Sequence, residues 1–464
     1  MRCPSLSNRW RIRFRYPLCI LQFSQFLSFL LLERANLVKG APETVLRFGP
    51  KSSLPEGKCR FGGIFFAVLS SHFICLAIPA VPDEKSPYTW GMNREQEIKQ
   101  LQGWRRDLHQ IPELGLQLPL TRQYLEEQLK DLDCEISHPI EHAVAAFFDG
   151  GKEKTIAFRS DMDALPVREQ TGAEFASLHE GCMHACGHDG HMSTLLLLAR
   201  RINEIYKDLD CNILLIFQPG EETPGGAKPI VDTGLFQERN VAAVFGLHLW
   251  PLLEKGAIAT ISGPMMASAT EIDVQVKGKA VHSARHYEGI DALEIAARFL
   301  QEAYRLEQSL PASVYRLLQF GRMEAGRIRN VVADTAVLQG TMRAFDQPTI
   351  DYLKNGLDQI ARLLEFETGA TISFAWSPAY PPVTNDPDLF EQIQPVRENL
   401  GVDILDKPVM IAEDFACYQQ EVPGIFFFLG TGTGIELHDS RFNFDEEILL
   451  RGADLFECLA HLSF

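Results

Sequence analysis

Four short apolar runs in this sequence each finish on acidic residues or a histidine, and that recurrence constrains the fold more than any other feature. Thr155-Ile156-Ala157-Phe158 runs into Arg159-Ser160-Asp161-Met162-Asp163, and Asn212-Ile213-Leu214-Leu215-Ile216-Phe217 into Gln218-Pro219-Gly220-Glu221-Glu222. Val241-Ala242-Ala243-Val244-Phe245-Gly246 runs into Leu247-His248, and Ile425-Phe426-Phe427-Phe428-Leu429 into a glycine-rich loop and Leu437-His438. Such runs, with helical patterns between them, read as strands of an α/β sheet. In open sheets of that kind the site lies beyond the carboxyl ends of the strands. A single end of this sort is ordinarily a turn with solvated charge. Four of them converging point to one chemical site.

The densest chemistry lies between the first two runs. Residues 183–191 hold His184, Cys186, His188, Asp189 and His191, then the sequence turns apolar at Thr194-Leu195-Leu196-Leu197-Leu198. Imidazole, thiol and carboxylate together form a metal-ligand inventory. Gly187 and Gly190 let the backbone fold tightly enough for Cys186 and His188 to face one ion. Two other readings stand beside this one: a polar turn capping a buried helix, and a catalytic cysteine whose thiolate needs a nearby base. The pair Glu221-Glu222 is either an exposed acidic loop or a buried pair. If buried, it stays ionised only with positive charge close by. In the functional reading one carboxylate binds a metal and the other is general base for the water that the metal activates.

The length of 464 residues allows two domains. A net charge of −17 argues against a nucleic-acid partner. Charge is uneven, because residues 1–91 carry 12 Lys+Arg against 5 Asp+Glu. There Arg9, Arg11, Arg13 and Arg15 precede an apolar run from Tyr16 to Leu32, which resembles the start of a signal peptide, and a second apolar run covers Phe61 to Ala80. Each approaches the roughly 20 residues that cross a bilayer, but polar residues such as Gln22, Gln25, Ser70 and His72 interrupt them. Helix-start chemistry follows Met92, with Asn93 as cap and Glu95 and Glu97 in the first turn. The enzyme is therefore expected to begin near Met92, with residues 1–91 an extra segment, either a mis-assigned start or an anchor. Membrane association is not expected. Ten cysteines without framework spacing read as reduced thiols, consistent with the cytoplasm.

From residue 267 to 377 the pattern changes to β-α-β-β-α-β, which is ferredoxin-like. The expected division is 92–266 and 378–464 for a catalytic α/β domain with a mixed sheet, interrupted by an inserted domain at 267–377. The insert has polar signals of its own at His282, Asn330 and Arg343, each of which taken alone is most often a surface residue.

The ordered motifs Arg159-Ser-Asp-Met-Asp-Ala-Leu-Pro166, Met183-His-Ala-Cys-Gly-His-Asp189, Phe217-Gln-Pro-Gly-Glu-Glu222, Gly246-Leu-His248, Gly340-Thr-Met-Arg343, Ala412-Glu-Asp-Phe415 and Leu437-His438 resemble the metallo-aminoacylase and carboxypeptidase superfamily. Within it, the similarity is to the amidohydrolase branch of hippurate hydrolases, auxin-conjugate hydrolases and N-acetyldiaminopimelate deacetylases. The resemblance implies two divalent ions per subunit, Mn or Zn first and Co or Ni next, on Cys186, His188, Glu222, His248 and His438. It implies Glu221 as general base and the inserted domain as a lid that also forms a homodimer. His282 would stabilise the oxyanion, Asn330 and Arg343 would contact substrate, and Asp163 would orient ligands. Three departures from the family pattern each lose a proline, at His286-Tyr287, Ala333 and Ser440, and bear on loop rigidity rather than on ligands. The expected reaction is hydrolysis of an N-acyl-amino acid, N-acetyldiaminopimelate or a hippurate-like compound included. The alternatives are a dipeptidase or carboxypeptidase of the same fold, a thiol hydrolase using Cys186, and a non-enzymatic metal-binding or membrane-tethered protein.

Overall fold

The computed structural model describes residues 94–378 and 380–464. The basic and apolar runs of residues 1–91 and the cap Asn93 lie outside the described residues. The described part begins with α1 (Arg94–Gln110) and α2 (Pro119–Leu129), then β1 (Glu135–Ser137), β2 (Val144–Phe148) and β3 (Thr155–Asp161). Next come α3 (His188–Ile205), β4 (Asn212–Gln218), the short α4 (Ala227–Val231) and α5 (Leu235–Glu238), β5 (Val241–Trp250), β6 (Ile258–Thr260) and β7 (Gly263–Met266). A second group follows: β8 (Ser268–Lys277), α6 (Ala292–Ser309), β9 (Arg316–Ala325), β10 (Thr335–Ala344), α7 (Gln347–Thr368) and β11 (Thr371–Trp376). The chain closes with β12 (Val383–Asn385), α8 (Pro387–Gln392), α9 (Gln394–Leu400), β13 (Asp403–Ile404), α10 (Ala416–Gln419), β14 (Gly424–Gly430) and α11 (Leu449–Ala460).

The large sheet has the order β1-β2-β4-β3-β5-β14-β6-β13. Its centre, β4-β3-β5-β14, is parallel, whereas β2 and β6 join it antiparallel. It is a mixed sheet. The four central strands are almost entirely buried, which is why their sequences run apolar without alternation. On one face α1 and α11 pack against α3. Their shared seam holds Arg201, which bonds Glu97 through two nitrogens (2.8 and 2.9 Å) and reaches Asp454 and Glu457 (both 3.0 Å).

The second sheet is antiparallel with order β11-β8-β10-β9, the ferredoxin-like order, and its core includes apolar residues of α6 and α7. Along β8 buried and open residues alternate, the mark of a sheet covered on one face. No helix among the described residues is long and apolar enough to cross a membrane.

Three local expectations need correction. First, β5 does not end before His248. Parallel pairing with Phe427–Gly430 of β14 carries it through His248 to Trp250. Second, the sequence from Asn330 to Arg343 reads as one strand, whereas β10 starts at Thr335 and Asn330 lies in the turn before it. Third, Gly190 makes no turn, being inside α3. A Cβ there would meet Phe444 Cζ at 2.8 Å, so close packing requires the glycine.

Candidate metal centre

Cys186 and His188 are held apart by Gly187, whose φ of 84° favours glycine; a Cβ there would also meet Leu249 Cδ1 at 2.7 Å. His188 opens α3, and its Nδ1 donates to the backbone carbonyl of Asp163 at 2.8 Å. That bond leaves Nε2 free, and Nε2 is buried without a hydrogen-bond partner. On β5, His248 Nδ1 donates to the Leu249 carbonyl at 2.7 Å, leaving Nε2 3.5 Å from Cys186 Sγ. His438 reaches in from the loop after β14, with Nε2 3.4 Å from the same sulfur and 3.1 Å from Glu222 Oε1. Glu222 Oε1 is buried and has no partner in hydrogen-bond geometry.

The structure therefore gathers all five expected ligand residues. Cys186, Glu222 and His438 offer atoms within 4.8 Å of one another, as do His188, Glu221 and Glu222, and His188 and His248 share a third group with Asp161 and His191. Two backbone carbonyls fix the Nδ1 atoms of two imidazoles and leave both Nε2 atoms for an ion, and His188 Nε2 and Glu222 Oε1 are buried with no partner in hydrogen-bond geometry. A sulfur, three imidazoles and a carboxylate in that state fit divalent metal ions.

Asp163 lies beneath the acidic pair. Its Oδ1 accepts the Glu221 N–H at 2.9 Å and its Oδ2 the Glu222 N–H at 3.1 Å, so one buried carboxylate fixes both backbones. The positive charge that a buried acidic pair demands is Arg159. Its guanidinium holds Asp161 (3.0 Å), Glu413 (3.0 Å) and Asp414 (2.9 Å), and Nε donates to Gln218 at 2.9 Å. Burial and then Glu413, Glu222 and Asp414 push the Glu221 carboxyl well above its usual range, against Arg159. Burial also works against ionisation of Glu222, but His438 and His188 hold it below the usual value. For His188, burial is outweighed by Asp161 and Asp163, which raise it to about 10. Burial and His191 depress His248 to about 3.

Asp161, Arg159, Glu413 and Asp414 carry no individual role in the sequence reading, and His191 stands there only in the general ligand inventory, although all five lie in the quoted stretches. His191 Nδ1 donates to Asp161 Oδ1 at 2.6 Å, and its Nε2 accepts the Leu249 N–H at 2.9 Å. Both ring nitrogens are engaged, so His191 braces the strand that carries His248 and has no lone pair left for an ion.

On the second sheet, His282 caps the 3₁₀ turn Ser283–Glu288, its Nδ1 accepting the Ala284 N–H at 3.2 Å. Asn330 is its neighbour, for the Asn330 carbonyl accepts the Ser283 N–H at 3.0 Å. Arg343 lies on β10 between Ala269 of β8 and Leu317 of β9. Among the described residues His282 joins none of the groups of possible ligands around Cys186.

The profile of peptidase family M20/M25/M40 matches residues 157–462. An uncharacterized hydrolase of Staphylococcus haemolyticus is 34% identical over 366 residues, covering 76% of this chain and 96% of that protein. The crystal structure of a dinuclear metal-binding M20-family peptidase from Bacillus subtilis is similar with a TM-score of 0.70 and 32% identity, covering 79% of this chain and 98% of the other. An aminopeptidase from Bacillus cereus shares the fold at a TM-score of 0.62 and 17% identity, over 80% and 98% of the two chains. The chain belongs to peptidase family M20/M25/M40 and is a metal-dependent hydrolase of amide or peptide bonds.

Proposed function

We propose that this hydrolase cleaves the amide bond of N-acyl-amino acids, releasing the amino acid and a carboxylic acid, with two divalent ions held by Cys186, His188, Glu222, His248 and His438. The observation that carries the reading is the pair of buried atoms without hydrogen-bond partners, His188 Nε2 and Glu222 Oε1, grouped with Glu221 and next to the group of Cys186 and His438 that shares Glu222. Bound ions of Mn or Zn, or of Co or Ni, supply polarisation of the amide carbonyl and activation of water. Glu221 takes the proton of the attacking water and passes it to the leaving amine. Asp163 keeps the Glu221 and Glu222 backbones in place. The inserted domain, residues 267–377, excludes water and brings His282 to the oxyanion. From the same domain Asn330 and Arg343 contact the substrate, the planar fork of Arg343 matching its carboxylate. The active form is a cytoplasmic homodimer joined through that domain.

The Bacillus relative is described as a peptidase, so a dipeptidase is the second reading. One panel separates the two: N-acetyl-amino acids, N-acetyldiaminopimelate, hippurate and dipeptides, assayed after chelation and again after Mn or Zn. The expected result is N-acyl hydrolysis that is lost with chelator, restored by the ion, and lower by about 10²–10⁴-fold in Glu221→Gln. Cleavage of dipeptides alone selects the second reading. Indifference to chelation overturns the two-ion site and brings Cys186 forward as nucleophile.

A further inference from the structure

Tyr380 stands where the two sheets are joined, in the segment between β11 and β12. Its backbone N–H donates to the Ala269 carbonyl on β8 at 3.2 Å, and Ala269 is the register partner of Arg343 on β10. Its hydroxyl donates to the backbone carbonyl of Glu221 at 3.4 Å. Its ring lies on Gly225, where a Cβ would be 2.9 Å from both Tyr380 Cε1 and the hydroxyl oxygen. It also borders a cavity of about 400 Å³ lined by Pro224, Pro229, Pro378, Pro381 and Cys417. Packing on the cavity side is therefore loose, and the contacts to Ala269, Gly225 and Glu221 set the ring's position.

The loop around Glu221 hangs from two other fixed points. Asp163 accepts the Glu221 and Glu222 amides, and Asp414 accepts the Gly226 and Ala227 amides, each at 2.9 Å. Both carboxylates belong to the segments that build the large sheet, whereas Tyr380 is paired to β8 of the second sheet. We propose that Tyr380 is a positioning residue that ties the base of the inserted domain to the backbone of Glu221. A shift of β8 is then transmitted through one side chain to the general base, so that the inserted domain and the Glu221 carboxylate reach their working positions together.

The inference rests on Glu221 as general base, and its test separates the two ideas. Tyr380→Phe keeps the ring and removes the hydroxyl. In the ion-loaded enzyme, on any substrate the wild type hydrolyses, kcat is expected to fall about 2- to 10-fold, the scale of one lost hydrogen bond, with KM within two-fold. Hydrogen exchange at the Glu221, Glu222 and Gly225 amides is expected to quicken. Gly225→Ala, which displaces the ring and leaves the hydroxyl, moves both readouts the same way. Unchanged exchange overturns the proposal whatever happens to kcat. So does a raised KM at constant kcat, which marks a substrate contact instead. Faster exchange with kcat unchanged overturns it where Glu221→Gln is inactive. Where Glu221→Gln remains active, the general-base reading has failed, and the exchange result alone decides whether Tyr380 holds the loop.

Discussion

Replacing Asp163 with Asn probes how far the acidic pair depends on a group that need not touch an ion. The carboxylate is 1% exposed and accepts two backbone amides, from Glu221 at 2.9 Å and from Glu222 at 3.1 Å. An asparagine keeps one oxygen and turns an NH₂ toward the other N–H, so at least one hydrogen bond to a charged group is lost. Such a bond contributes about 1.5–3 kcal/mol. The loss falls on the backbone of Glu221 or of Glu222, the expected base and an expected ligand, and removing a support of that kind typically lowers ion affinity about 10- to 100-fold. That factor corresponds to about 1.4–2.7 kcal/mol, so the two estimates agree. The substitution spares the bond from His188 Nδ1, which goes to the Asp163 backbone carbonyl. Calorimetric titration of Mn or Zn into chelator-treated protein is the assay, with urea unfolding of the same samples in parallel. Weakened ion binding together with a stability loss of about 2 kcal/mol is expected. Ion affinity within two-fold of wild type would refute the reasoning, because the loop would then hold its shape without the carboxylate.

Two further outcomes follow from buried groups elsewhere. At Glu457, burial and then the neighbours Asp454 and Glu97 push the carboxyl up to about 7 against the pull of Arg201. The folded state therefore keeps a proton that the unfolded chain releases near 4.5, so this group's contribution to stability is greatest below that pH and falls until about pH 7, by at most about 3 kcal/mol. Glu457→Gln should match wild type at pH 4.5 and exceed it at pH 8 in urea unfolding, and an equal difference at both pH values would rule this out. Gly187→Ala places a Cβ 2.7 Å from Leu249 Cδ1 at a φ of 84°, costing about 2–4 kcal/mol in strain and overpacking. Thermal unfolding within the error of wild type would contradict it.

How much was readable depended on how local the cause was. The runs that became β3, β4, β5 and β14 were visible because both faces of a parallel strand are buried, and the β8 alternation because one face is open. The length of β5 was not visible, since only its partner β14 decides that pairing continues past His248. The gathering of Cys186, His188 and Glu222 followed from motifs at strand ends. The bracing was hidden: Arg159 meets Asp414 255 residues away, and His191 meets Asp161 across 30. Residue type at each position gave no sign of which partner would be chosen. The same holds for His282 and Arg343, whose sequence context places them on the inserted domain but fixes no distance to Cys186.

The electrostatics of the centre also weigh the thiol against the ion. Burial pushes the Cys186 thiol well above its usual range, and Glu222, Glu221 and Asp161 push it further. A nucleophilic cysteine needs surroundings that stabilise the thiolate, and here burial and three carboxylates outweigh the N-terminus of α3 that follows Cys186. His248 and His438 lie near the sulfur, yet His248 is itself held neutral, at about 3. The nearby permanent cation Arg159 is occupied by Asp161, Glu413 and Asp414. A bound divalent ion would supply the positive charge that favours thiolate at Cys186, and the inward lone pair of His248 leaves room in the donor set for one. The residues that disfavour a free thiolate are thus the same ones that favour a thiolate bound to metal, and alkylation of Cys186 should be slow with or without chelator.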